Sequence, residues 1–167
     1  MIDIVIGNIC SLLACISDSI SGTRKTKKSI LITQIVSQFF YIASSLALKA
    51  YSAVVQNVVT VFRNLYSISD KHSKVLEWGL TICQVVFGLY FNNRGLLGLI
   101  PVVANLEYSL ALFVLRNNPK GIKIAFIIST LMFMFFNFSI MNFVGGIFCV
   151  VIVITTIISI YKESNKQ

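Results

Sequence analysis

The chain has 167 residues, of which 56% are hydrophobic and 12% charged, with a formal net charge of +8 at pH 7. An average soluble domain carries about 25% charged residues, so this composition excludes an ordinary soluble fold and points to a membrane protein. In a soluble chain the positive charge would suggest a nucleic-acid partner, presented as a basic surface stripe. Here Lys and Arg lie mostly between apolar runs, so the charge reads as topogenic, with anionic lipids at the cytoplasmic face as its partner and no nucleic acid.

Taken in order, the apolar runs predict seven spans, at about 4–20, 30–48, 51–67, 75–91, 96–115, 122–140 and 143–161. The later ones approach the roughly 20 residues needed to cross about 30 Å of hydrocarbon. The N-terminus begins with an acid and meets its first positive charge only at Arg24, so it reads as a retained span and not a signal peptide. Residues 24–28 form a basic cluster, Lys49-Ala50 a tight turn, residues 69–74 a polar loop containing His72, and residues 162–167 a polar tail. Of the fourteen Lys and Arg, Lys49 and Arg94 alone flank the opposite side from the other twelve. The positive-inside rule then puts the N-terminus outside and the C-terminus in the cytoplasm of a multi-pass membrane protein.

An internal repeat is also expected. At an offset of 92, Arg24 falls on Arg116, Lys28 on Lys120 and Lys49-Ala50 on Met141-Asn142. Both units place their basic loop on one side, so they must be parallel with an extra span between them. The predicted fold is therefore an all-α integral membrane protein of seven transmembrane helices in a 3+1+3 layout. Residues 1–68 and 95–161 form two parallel three-helix bundles, 75–91 is the linker helix and 162–167 the cytoplasmic tail. In parallel-repeat transporters the solute site lies between the repeats near mid-membrane.

Leu99-Ile100-Pro101-Val102-Val103, Ala111-Leu112-Phe113, Phe136-Asn137-Phe138 with Ser139, and Gly145-Gly146 together resemble the bacterial inner-membrane family YgjV. Gln56-Asn57 through Val61-Phe62-Arg63-Asn64-Leu65 is similar to that family's Asn-to-Arg motif in the third span. The resemblance implies a layout similar to the SWEET, PQ-loop and nicotinamide riboside carrier group, and implies no particular substrate. One departure is clear: there is no Pro-Gln pair, and Pro101 has Ile9 as its repeat counterpart.

The spans contain Asn8, Gln34, Gln38, Asn57, Arg63, Gln84, Asn105, Glu107 and Asn137. An intramembrane Arg costs about 2.5 to 3.5 kcal/mol at the span centre on insertion scales, so Arg63 needs a partner or water. Arg63 lies twelve residues past Tyr51 and Glu107 twelve past Gly95, which places them at similar depth. An Arg63–Glu107 ion pair is expected to join the repeats as a bridge or gate, with snorkelling of Arg63 to the interface as the competing reading. Asn57 and Asn137, with Gln38, Gln84, Asn105 and Trp78, are the candidate substrate-binding residues. Phe39, Phe40, Tyr41, Phe133, Phe135 and Phe136 offer stacking walls. The bland alternative is that each amide only bonds helix to helix, worth about 0.6 kcal/mol on average.

Cys10, Cys15, Cys83 and Cys149 lie in apolar runs without metal-ligand spacing and read as packing residues. No catalytic, metal or cofactor motif is recognisable, so an enzyme is the least favoured class. The expectation is a transporter or facilitator of a small polar metabolite, such as a sugar, nucleoside or vitamin-like compound. The alternative is a non-transporting scaffold or receptor. Relatives in layout suggest assembly into a homo-oligomer, but no stretch of this sequence marks an interface.

Overall fold

A computed structural model of the chain describes residues 2–69 and 73–164. Lys71 and His72 of the expected polar loop, and Lys166 in the tail, lie outside them. Seven α-helices are described: α1 Ile2–Thr23, α2 Lys27–Ala47, α3 Tyr51–Ile68, α4 Lys74–Tyr90, α5 Ile100–Val114, α6 Pro119–Ser139 and α7 Phe143–Ser164. A short 3-10 helix, Gly95–Leu99, leads into α5. Pro101 lies in the first turn of α5, where a missing N–H breaks no helical hydrogen bond. The helix bounds fall close to the expected spans. Five of these segments are long and apolar enough to cross a membrane; α3 and α4 are the exceptions.

Each helix turns its small and polar residues inward. On α1 the buried face is Gly7, Ser11, Ala14, Cys15, Asp18, Ser21 and Gly22, and Ile9, Leu13, Ile16 and Ile20 point outward. On α3, Ser52, Gln56, Asn57, Thr60, Arg63, Asn64 and Ser67 share one helical stripe, opposite the exposed Phe62 and Leu65. An apolar exterior over a polar interior costs nothing in lipid, where the driving force is close packing and interhelical hydrogen bonding.

Positions 92 residues apart repeat their local geometry. Thr26 Oγ1 caps α2 by accepting from Ser29 N at 3.3 Å, and Asn118 Oδ1 caps α6 by accepting from Gly121 N at 2.9 Å. The helices then end alike: Ala50 N donates to Ser45 O, and Asn142 N to Asn137 O, both at 2.9 Å. Lys49 and Met141 occupy the same left-handed region in these two turns, at φ 54° and 62°. The left-handed residue closes the last turn of each helix and reverses the chain into the next.

α1 packs on α2 and α7, α2 on α3, α3 on α5, α5 on α6, and α6 on α7. These six helices close on one another, and α4 lies against α3 and α5. Two apolar clusters bracket the interior. Leu48, Ala50, Ala53, Phe136 and Ile140 sit at the tight-turn end. Cys15, Leu31, Tyr108, Leu112, Ile122, Ala125, Phe126 and Ile152 sit toward the basic-loop end.

Candidate functional site

Between those clusters is a cavity of about 70 Å³. All six helices of the closed set contribute to its wall, and α4 contributes nothing. Gln34, Gln38, Tyr41, Ser44 and Ser45 come from α2, and Asn57, Thr60 and Arg63 from α3. Asn105 and Tyr108 come from α5, Thr130, Phe133, Phe136 and Asn137 from α6, Cys149 and Ile152 from α7, and Asp18 from α1.

Arg63 is 1% exposed. Its Nη1 donates to Ser109 Oγ at 2.9 Å and Asn105 O at 3.5 Å, while Nε and Nη2 donate to Asn64 Oδ1 at 3.2 and 3.1 Å. The guanidinium carbon lies 5.0 Å from the Tyr108 ring centroid, within cation–π range. The network continues from Asn64 Nδ2 to Gln34 Oε1 at 3.4 Å, and Gln34 Nε2 donates to Tyr108 Oη at 2.9 Å. Ser37 Oγ donates to Asp18 Oδ1 at 2.5 Å. The two ion pairs among the described residues, Arg116–Glu77 and Lys123–Glu163, involve neither Arg63 nor Asp18.

The family model for Imp-YgjV, a bacterial inner membrane protein, matches residues 5–167. The chain belongs to the Imp-YgjV family. No curated protein and no solved structure matches it. The match and the apolar helices together make this a multi-pass protein of the bacterial inner membrane.

In this Imp-YgjV protein Gln38, Asn57, Asn105, Asn137 and Arg63 do meet at one cavity. Asn57 Nδ2 donates to Ser45 Oγ at 3.4 Å, and Asn137 Nδ2 to Cys149 Sγ at 3.7 Å. The expected ion pair is not formed. Asn105, Tyr108, Ser109 and Leu112 make the buried face of α5, whereas Glu107 is half-buried off that face, and its Oε2 has no partner. Equal depth did not give equal azimuth: two residues along a helix is a rotation of about 200°. Arg63 therefore bridges α3 to α5 through Ser109 and Asn105. Snorkelling is corrected too, since the guanidinium is buried.

Trp78 is 60% exposed and does not reach the cavity. It lies in the first turns of α4, as an interfacial indole should, but faces outward. Gln84 is buried and acts from behind the wall, its Oε1 taking a hydrogen bond from Ser109 Oγ at 2.9 Å. Of the aromatic walls, Tyr41, Phe133 and Phe136 line the cavity, while Phe39 and Phe135 are exposed. Sequence reasoning missed three residues of the cavity wall, Asp18, Tyr108 and Asn142. The signal for Asp18 was present: Ser11, Cys15, Asp18 and Gly22 recur at helical spacing, marking a small and polar inward face.

Proposed function

We propose that this protein is a transporter or facilitator of a small polar metabolite. The solute binds between two parallel three-helix units, residues 1–68 and 95–161, which α4 links in a 3+1+3 layout like that of the SWEET and PQ-loop group. The N-terminus is outside and the basic loops and tail lie in the cytoplasm, against anionic lipids. The observation that carries this reading is the cavity itself, polar and aromatic, walled by six helices and bracketed by apolar clusters at both ends. The repeated caps and turns at an offset of 92 support the two-unit reading.

A second reading has its own support. Asn57 and Asn137 already hydrogen-bond across helices, as the amides of a non-transporting scaffold would. A metabolite screen by thermal shift on purified protein, followed by uptake into proteoliposomes, separates the two. Transport predicts that one solute raises the melting temperature and that Asn57→Ala or Asn137→Ala removes the rise. A scaffold predicts no solute response and no flux, with the same substitutions only lowering stability.

A further inference from the structure

Building on the transport reading, we infer that the cavity takes a zwitterionic solute, its carboxylate held by Arg63 and Asn105 and its ammonium by Asp18. Three observations lead there. The buried Arg63 guanidinium is held only by neutral acceptors and a tyrosine ring. Asn105 is 6% exposed; its Oδ1 accepts from Thr60 Oγ1 at 3.4 Å, and its Nδ2 has no partner. That leaves an unused donor beside a cation at the cavity wall, a combination that suits a carboxylate. Asp18, also 6% exposed, lines the same cavity without a cationic partner, its Oδ1 held by Ser37.

The two charges are fixed relative to each other. Ser37, which donates to Asp18, lies within hydrogen-bonding distance of Gln34 O at 2.8 Å, and Gln34 takes the Asn64 amide that holds Arg63. A buried unpaired charge is costly, and each half of a zwitterion offsets one of the two. A simple carboxylate would leave Asp18 without a cation, and a simple amine would leave Arg63 without a carboxylate in hydrogen-bonding reach.

The experiment is a thermal-shift series on the full chain in detergent. The probes are glycine, β-alanine, γ-aminobutyrate and 5-aminovalerate, the acids and amines of matching length, glucose and uridine. At least one amino acid should raise the melting temperature while its matched acid and amine do not, and the best chain length reports the span between Asp18 and Arg63. Asn105→Ala should weaken that response about tenfold, the loss of one hydrogen bond to a charged group. Asp18→Asn should abolish the amino-acid response and create one to the matched carboxylate, an exchange that loss of folding cannot mimic. If Asp18→Asn does not fold, the wild-type comparison of amino acid, acid and amine still decides. A shift with glucose or uridine and none with amino acids overturns the zwitterion and leaves transport standing. A shift with acid alone also overturns it, and silence from every probe with no vesicle uptake overturns both readings.

Discussion

Helices α1–α3 and α5–α7 differ in what they bury. Their caps and turns coincide at an offset of 92, but the interior residues do not. Asp18, Gln34, Arg63 and Asn64 of the first set stand opposite Leu110, Phe126, Thr155 and Thr156 of the second. Backbone geometry is therefore insensitive to residues that decide the cavity's chemistry, and both charged residues of the cavity wall, Asp18 and Arg63, come from α1–α3. Asn57 and Asn137 show a subtler relation. Asn57 on α3 bonds Ser45 on α2, while Asn137 on α6 bonds Cys149 on α7. Ser45 and Asn137 are 92 apart, as are Asn57 and Cys149, so each half keeps one amide facing one small residue with the roles exchanged.

The largest effect should come from removing the charge. Arg63→Gln withdraws donors from Asn64 and Ser109, and each orphaned buried group costs about 1–3 kcal/mol. Unfolding in mixed micelles should show a loss of about 3 kcal/mol or more. Thr155→Ala, at the corresponding position, removes a hydroxyl bonded only within α7 and should cost less than about 0.5 kcal/mol. Equal losses would break the comparison.

An intermediate effect is expected from the amide exchange. Asn57→Cys alone should cost about 1 kcal/mol, within the range of membrane hydrogen bonds. Adding Ser45→Asn, which imports the α6–α7 arrangement into α2–α3, should recover most of that loss in the same unfolding measurement. A double variant no better than the single one would show that the exchanged roles are not interchangeable.

The smallest change should follow from making the second half more like the first. Lys123 is 1% exposed and bonded to Ser159 and Glu163, and the residue 92 positions earlier is the fully buried Leu31. Replacing a buried ion pair with apolar packing is often neutral or stabilising. Glu163 is about one-third exposed and keeps water when its partner goes. Lys123→Leu should therefore shift stability by less than about 1 kcal/mol, and a large loss would mark the pair as essential at the basic-loop end.

The seven helices, the tight turns and five of the polar wall residues were legible in the sequence, because hydropathy length and turn spacing depend on local residues. Arg63–Glu107 was misread since depth along a helix says nothing about which neighbour a face meets. Asp18 was overlooked because an acid near the end of a span reads as interfacial until its helical stripe with Ser11 and Cys15 is traced. Trp78 faces away from the cavity, because a lone indole near the start of α4 carries no azimuthal signal.

The polarity of α3 bears on how the protein is made. Its stripe of amides and one guanidinium keeps it below the hydropathy of the five strongest segments. It is a poor candidate to partition into lipid unaided. Two of the groups that satisfy Arg63, the Asn105 carbonyl and Ser109, lie 42 and 46 residues later in the chain. At roughly 5–20 residues per second of synthesis, the guanidinium waits seconds for them. During that interval the cost of facing lipid, about 2.5 to 3.5 kcal/mol for an Arg at a span centre, favours holding α3 against α2, α4 or the insertion machinery.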